Sequence, residues 1–176
     1  IDALARITDR DFICLLVGSD QGRTGYRDEL TERVRARGLE SRVFIRDDCA
    51  DMPACYMLAD VVVSASTDPE AFGRIAAEAQ AMGRPLVASA HGGVPEQVID
   101  GETAFLVTPG DDAALADGVA RALDLGTEAR AAMATAARAQ ARQFSKERMC
   151  ADTLAVYEEL LGWRPEASST PVRAAG

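Results

Sequence analysis

Short apolar runs alternate with longer stretches whose apolar positions recur at helical spacing. Phe12 to Val17 is apolar throughout and stops at Gly18, which predicts a parallel strand buried on both faces. Tyr26 to Arg37 carries Leu30 and Val34 among charges and ends at Gly38, the pattern of an amphipathic helix with a glycine stop. Val43 to Ile45 reads as a short strand, and Met52 to Leu58 as a short helix with Pro53 in its first turn. Val61 to Val63 predicts a strand, Ser64 to Glu70 a loop, and Phe72 to Met82 a helix closed by Gly83. A strand at Leu86 to Ala88, the Gly92–Gly93 turn, a short helix from Pro95 and a strand at Phe105 to Val107 follow. Beyond Asp111 the pattern is helical throughout, with Leu115, Val119 and Leu123 on one face. An Ala-rich stretch runs from Glu128 to Phe144, and Ser145 is placed to cap a last helix that ends near Leu161.

Strands alternating with helices predict an α/β fold: a doubly wound, Rossmann-like parallel sheet with right-handed crossovers and C-terminal helices. The expected domain is 1–162. Residues 163–176 have the composition of a flexible tail.

Composition narrows the function. The 176 residues carry a net charge of −9, so phosphate backbones would repel the chain and general nucleic-acid binding is excluded. No apolar run reaches the roughly 20 residues of a membrane helix. Cys14, Cys49, Cys55 and Cys150 form no CxxC pair, and His91 is the single histidine. Reduced thiols, rather than zinc ligands or a disulfide framework, are the expectation.

Ligands of doubly wound sheets bind at the carboxyl ends of the strands, which directs attention to the loops at 18–25, 46–50, 64–70 and 89–94. The first contains GSDQGRTG, which is neither a Walker loop nor a GxGxxG turn. The most informative segment is Asp68 to Glu78, DPEAFGRIAAE. If both Glu70 and Glu78 were helical they would stand about 80° apart around the axis, off any common face. With Glu70 in the loop, the two carboxylates instead flank the start of the helix. Backbone N–H groups near Phe72, Gly73 and Arg74 then point out of a helix N-terminus, which attracts phosphate. Such a site fits a diphosphate with a hydroxyl-rich group on each side. The spacing alone equally admits Glu70 as a helix-cap acid and Glu78 as a solvated helix position.

The strings LLVGSDQG, YRDEL, SRVFIRD, MPACYMLADVVVSASTDPEAFGRIAAEAQAMGRPLVAS and HGGVPEQVIDGETAFLV occur in this order. Together they resemble the C-terminal, nucleotide-sugar-binding domain of family-4 retaining glycosyltransferases of the GT-B fold. The likeness runs from about residue 1 to 161 and includes the Glu–seven residues–Glu signature. It implies that Glu70 holds donor-sugar hydroxyls and acts at the catalytic centre, and that Glu78 holds the nucleotide ribose. Phe72, Gly73, Arg74 and Ile75 would bind sugar and diphosphate, with Gly18, Phe44, Ile45 and Arg46 around the nucleotide. His91-Gly92-Gly93 would shape the site, and Glu96 would be structural. The donor is a substrate; no cofactor and no metal are implied. The acceptor would be a saccharide or lipid-linked saccharide held by an N-terminal domain. That domain, with a strand and an Arg/Lys loop expected ahead of Ile1, lies outside this sequence. Ala104 stands where the family has Gly. The DPEAFGR wording also resembles bacterial transferases of cell-surface polysaccharide or lipopolysaccharide synthesis. This implies a cytoplasmic enzyme, with room for a peripheral station at the inner membrane face.

Two other readings share the fold: a non-catalytic nucleotide-binding module, and another GT-B enzyme such as a sugar-nucleotide epimerase. The paired Glu70 and Glu78 speak against the first, and the GGVPE and EAFGR wording against the second. Elsewhere, His91 reads as a turn residue, Asp47–Asp48 as too few ligands for a metal, Arg130, Arg138 and Arg142 as a solvated face, and Met52 and Met57 as core filler.

Overall fold

A computed structural model describes residues 1–162 apart from Gln21 and Arg23. The tail expected at 163–176 lies outside the described residues. The chain divides into two compact units, Ile1–Arg142 and Gln143–Gly176.

In the first unit, β1 (Cys14–Val17) pairs in parallel with β2 (Val43–Arg46), and the helix between them is α1 (Thr24–Ala36). After α2 (Met52–Leu58) comes a second parallel sheet in the order β3 (Val62–Ser64), β4 (Leu86–Ser89), β5 (Phe105–Val107). Its connections carry α3 (Arg74–Ala81) and α4 (Val94–Gln97). The unit then continues through α5 (Asp112–Leu123) and α6 (Thr127–Ala141). The described part of the second unit is essentially one helix, α7 (Lys146–Leu161). As expected, Ser145 caps it, its side chain accepting from the Arg148 N–H.

The period of two along β4 decides the layers. Val87 faces a core with Phe105 and Val107, Val119 and Ala122 of α5, and Met133 of α6. Leu86 and Ala88 face the other way, onto Tyr56 of α2, Ala76 and Ala79 of α3, and Val94 of α4. Helices therefore cover both faces of the three-stranded sheet, the doubly wound arrangement that the alternating pattern predicts. A small residue permits the closest approach: a Cβ on Gly118 of α5 would stand 2.8 Å from Val87 Cγ1.

Four expectations are corrected. The apolar run at Phe12–Val17 predicts burial on both faces, yet Ile13 and Leu15 are 66% and 51% exposed, and Val63 of β3 is 40% exposed. No ladder joins β1 to β3 among the described residues, so each strand keeps an apolar edge that its neighbours do not cover. The helix expected from Phe72 begins at Arg74, because Gly73 is left-handed at φ 80° and breaks the helical geometry. Arg130 and Arg138 do more than coat a solvated face. Arg130 donates to the Asp60 and Ala122 carbonyls at 2.7 and 3.0 Å, and Arg138 to the Met82 carbonyl beyond α3 at 3.4 Å. Free carbonyls at helix ends attract such cations. Met57 is half exposed, its sulfur accepting from Arg84, whereas Met52 does pack on the core.

Candidate functional site

The β3–α3 and β4–α4 loops leave the carboxyl ends of adjacent parallel strands, and they interlock. The Gly93 N–H donates to the Glu70 carbonyl at 2.9 Å. Gly92 has φ +59°, and a Cβ there would lie 2.3 Å from the Glu70 carbonyl oxygen and 2.7 Å from its nitrogen. Only glycine fits so close a backbone crossing. The GG pair thus fixes the backbone of Glu70 from the neighbouring loop.

The Glu70 side chain is fixed as well. Its Oε1 accepts from the Ser66 hydroxyl. Its Oε2 lies 3.9 Å from where a Cβ on Gly73 would sit, so this second oxygen faces the start of α3. Gly73 offers no capping side chain. The first-turn N–H groups, those of Arg74 and Ile75, precede any intrahelical partner and carry the positive end of the helix dipole. Glu70 lies outside the helix and does not cap it.

One turn further on, Glu78 is held by two donors. The Tyr56 hydroxyl donates to Oε2 at 2.7 Å, and Arg74 Nη2 donates to Oε1 at 3.1 Å. Burial, and then the neighbouring Glu78 carboxylate, push the Tyr56 hydroxyl far above the ordinary tyrosine range, so it remains a proton donor to Glu78. Glu78 keeps about a third of its side chain in solvent while Arg74 is largely exposed. Two carboxylates, each already oriented, therefore flank an uncapped helix start. This arrangement can take up an anion between two hydroxyl-bearing groups.

Gly18, Phe44, Ile45 and Arg46 meet at the end of the β1–β2 pair. The Gly18 N–H donates to the Arg46 carbonyl at 3.1 Å, and the Arg46 guanidinium stands 5.4 Å from the Phe44 ring centre. Among the described residues, the polar contacts of this group stay within the pair, and none of them ties it to Glu70 or Glu78. Phe72, exposed, lies just ahead of the helix rather than in it. Asp47 is occupied by Arg27, and among the described residues no three His, Cys, Asp or Glu side chains gather as a metal-binding group. His91 lies in the β4–α4 loop with neither ring nitrogen partnered.

Three site residues escape a reading of the sequence. Ser66 precedes Glu70 by four positions in a loop, where spacing carries no orientation. Tyr56 reaches Glu78 across 22 positions of chain, and nothing local marks it. Gln97, buried, has its amide nitrogen 3.6 Å from the Cβ position of Gly73, and both of its amide atoms lack partners. The signal available for it, a polar residue at a core position of a four-residue helix, is too short to read as periodicity.

Interlocked loops at the carboxyl ends of a parallel sheet, with a helix start aimed between two acids, define a Rossmann-like α/β domain, and the solved structures it resembles put it in the GT-B class. The family model described as "Glycosyl transferases group 1" matches residues 1–140, and the chain belongs to that family. It is 33% identical over 167 residues to the D-inositol 3-phosphate glycosyltransferase of Corynebacterium glutamicum (strain R), covering 92% of this chain and 40% of that protein. Among solved structures, a glycosyltransferase from Rickettsia africae ESF-5 superposes with a TM-score of 0.86 at 32% identity, over 91% of this chain and 43% of that one. Anabaena Alr3699/HepE, solved in complex with UDP-glucose, gives 0.79 at 34% identity over 92% and 44%. The chain thus spans less than half the length of these three relatives. A shorter structure, the C-terminal domain of a glycosyl transferase group 1 family protein (LpcC) from Francisella tularensis, gives 0.67 at 25% identity and is covered over 73% of its length.

No helix among the described residues is long and apolar enough to cross a membrane.

Proposed function

We propose that this chain is the donor-binding part of a family-4 retaining glycosyltransferase and holds a nucleotide-diphosphate sugar for transfer to an acceptor. The observation that carries the reading is the pairing of Glu70 and Glu78 on either side of the uncapped start of α3, each carboxylate pre-oriented by its own donor. In this reading the diphosphate lies against the first-turn N–H groups of α3, with Phe72 and Gly73 at its edge and Arg74 adding charge. Glu70 takes sugar hydroxyls, and Glu78 takes the ribose. Gly18 and the Phe44–Arg46 segment border the base. As the glycosidic bond to phosphate breaks, negative charge builds on the leaving diphosphate, and the fixed dipole of the helix start stabilises it. The Anabaena relative's complex with UDP-glucose supports a nucleotide sugar as the donor. A saccharide or lipid-linked saccharide acceptor, held by a domain outside this chain, completes the reaction. Cell-surface polysaccharide or lipopolysaccharide synthesis is the setting that the DPEAFGR wording favours. The same reading supplies a further strand from a longer chain, lying between the open edges of β1 and β3.

The division of labour between the two acids is the test. In the full-length enzyme, Glu78→Gln is expected to weaken UDP binding by about 10- to 150-fold, the worth of one charge-assisted hydrogen bond at roughly 1.5–3 kcal/mol. Glu70→Gln should lower turnover while UDP binding stays nearly unchanged, because UDP has no donor sugar to lose. Equal effects on UDP affinity, measured by calorimetry, would refute the assignment.

UDP binding is also expected to survive EDTA. A helix start neutralises phosphate without a cation, and the acids beside it are already engaged by Ser66, Tyr56 and Arg74. Loss of the calorimetric signal on chelation, restored by magnesium or manganese, would place a metal in the site.

A further inference from the structure

Behind the start of α3 stands a side chain to which the donor reading gives no task. Gln97, the last residue of α4, is 1% exposed, and neither its Nε2 nor its Oε1 has a partner. Its backbone is anchored, the carbonyl accepting from Gln80 Nε2 of α3 at 3.1 Å. Around it, Val94 and Val98 share an apolar core with Ala76 and Ala79 of α3. An unpaired amide buried in such a place is costly, and native proteins give almost every such group a partner. The position that a Cβ on Gly73 would take shows where the partner lies. The three atoms nearest to it are Val94 Cγ2 at 2.8 Å, Gln97 Nε2 at 3.6 Å and Glu70 Oε2 at 3.9 Å. The two polar ones are a donor and an acceptor, and no side chain of Gly73 fills the space beside them. Ser66 already holds the other carboxylate oxygen, Oε1.

We propose that Gln97 is a positioning residue: its amide N–H donates to Glu70 Oε2 past the bare Cα of Gly73 and holds the carboxylate from behind. The terminal torsions of glutamine and glutamate are soft, so the two groups meet by turning carboxamide and carboxylate. An ionised carboxylate only accepts, and an amide N–H is a donor without charge. A lysine or arginine in this place would neutralise Glu70, whereas Gln97 orients it and leaves its charge for the ligand. The apolar surroundings strengthen a bond to an ionised group.

Each carboxylate oxygen offers two lone pairs. With Ser66 on Oε1 and Gln97 on Oε2, one pair of each remains, which suits two neighbouring hydroxyls of a single sugar. Gln97 thus acts on sugar recognition through Glu70 without touching the ligand, its amide atoms being buried. This consequence rests on the donor reading; the bond between Gln97 and Glu70 does not.

The test has one arm without ligand and one with it, both on the full-length enzyme. In the first, the side-chain amide signal of Gln97 is identified by nitrogen-15 NMR as the one lost in Gln97→Met, or in Gln97→Leu if the methionine variant does not fold. Glu70→Ala is expected to move that signal upfield, because its protons lose a charged acceptor. In the second arm, Gln97→Met removes the donor but suits an apolar core. Its melting temperature should hold or rise, since a buried polar group is gone. Calorimetry should find UDP binding nearly unchanged, because UDP has no sugar for Glu70 to hold. The extra affinity of UDP-glucose over UDP should fall about 10-fold, the scale of one charge-assisted hydrogen bond. An amide signal indifferent to Glu70→Ala would overturn the proposal. So would equal losses of UDP and UDP-glucose affinity in Gln97→Met, the mark of a residue that only packs the helix start. If the unaltered enzyme binds UDP-glucose no better than UDP, or binds neither, the donor reading is what fails, and the amide signal alone decides whether Gln97 holds Glu70.

Discussion

Expressed by itself, the 176-residue chain is expected to aggregate readily, to unfold over a broad and weakly cooperative transition, and to bind nucleotide sugars weakly. The cause lies at β1 and β3. Ile13 just ahead of β1, Leu15 on it and Val63 on β3 stand 66%, 51% and 40% exposed, and no ladder joins the two strands among the described residues. Apolar strands with unpaired edges recruit other chains. A strand of five or six residues between them would contribute several kilocalories per mole, at roughly 1.5–3 for each large apolar side chain buried. That rivals the whole net stability of a domain, about 5–15 kcal/mol. The Francisella C-terminal domain has more chain than this one matches, coverage of its length being 73%. A chain extended upstream by one strand and its following loop is expected to gain a sharp calorimetric transition and tighter donor binding. A cooperative, high-temperature transition of the 176 residues alone, together with micromolar donor affinity, would contradict this expectation.

Gly92→Ala in the full-length enzyme is expected to cost about 100-fold in kcat/KM, the scale of a misplacement of about 1 Å at a reacting centre. Two penalties combine. The left-handed φ of +59° is strained for alanine by roughly 1–2 kcal/mol. The new Cβ also meets the Glu70 carbonyl oxygen at 2.3 Å and its nitrogen at 2.7 Å, and backbone cannot rotate away as a side chain can. Relief requires Glu70 to move, along with its bond to the Gly93 N–H. Gly101→Ala isolates the first penalty, since Gly101 has φ +77° with nothing within 4 Å of its Cβ position. It should lower the melting temperature modestly and leave kcat/KM nearly intact. Equal losses of activity in the two variants would mean that the crossing at Glu70 does not position the carboxylate.

Most of the three-stranded sheet is legible in the chain. Leu86 to Ala88, Phe105 to Val107 and the helices that cover them follow from short apolar runs between amphipathic ones, because local burial imposes local periodicity. The start of α3 lies two residues beyond where the pattern puts it, for a physical reason. Phe72 and Gly73 suit a helical pattern by hydrophobicity, whereas Gly73 takes a left-handed φ of 80° that breaks the helix, and a Cβ there would also meet Val94 of a different element at 2.8 Å. The two acids are legible as a spaced pair, but spacing alone leaves them equally readable as a cap and a solvated position. Ser66 and Tyr56 hold the two carboxylates in place, and neither contact is encoded nearby.

The fold class, the order of strands and helices, and the loops in which chemistry gathers can all be read from the linear chain. Each of these depends on the apolar pattern within about a dozen residues. Which way Glu70 and Glu78 point and why Gly92 and Gly93 are glycines emerge only once the chain is packed. Those facts are contacts between segments distant in the chain or turned by a loop, and contact geometry is a property of the packed backbone rather than of periodicity.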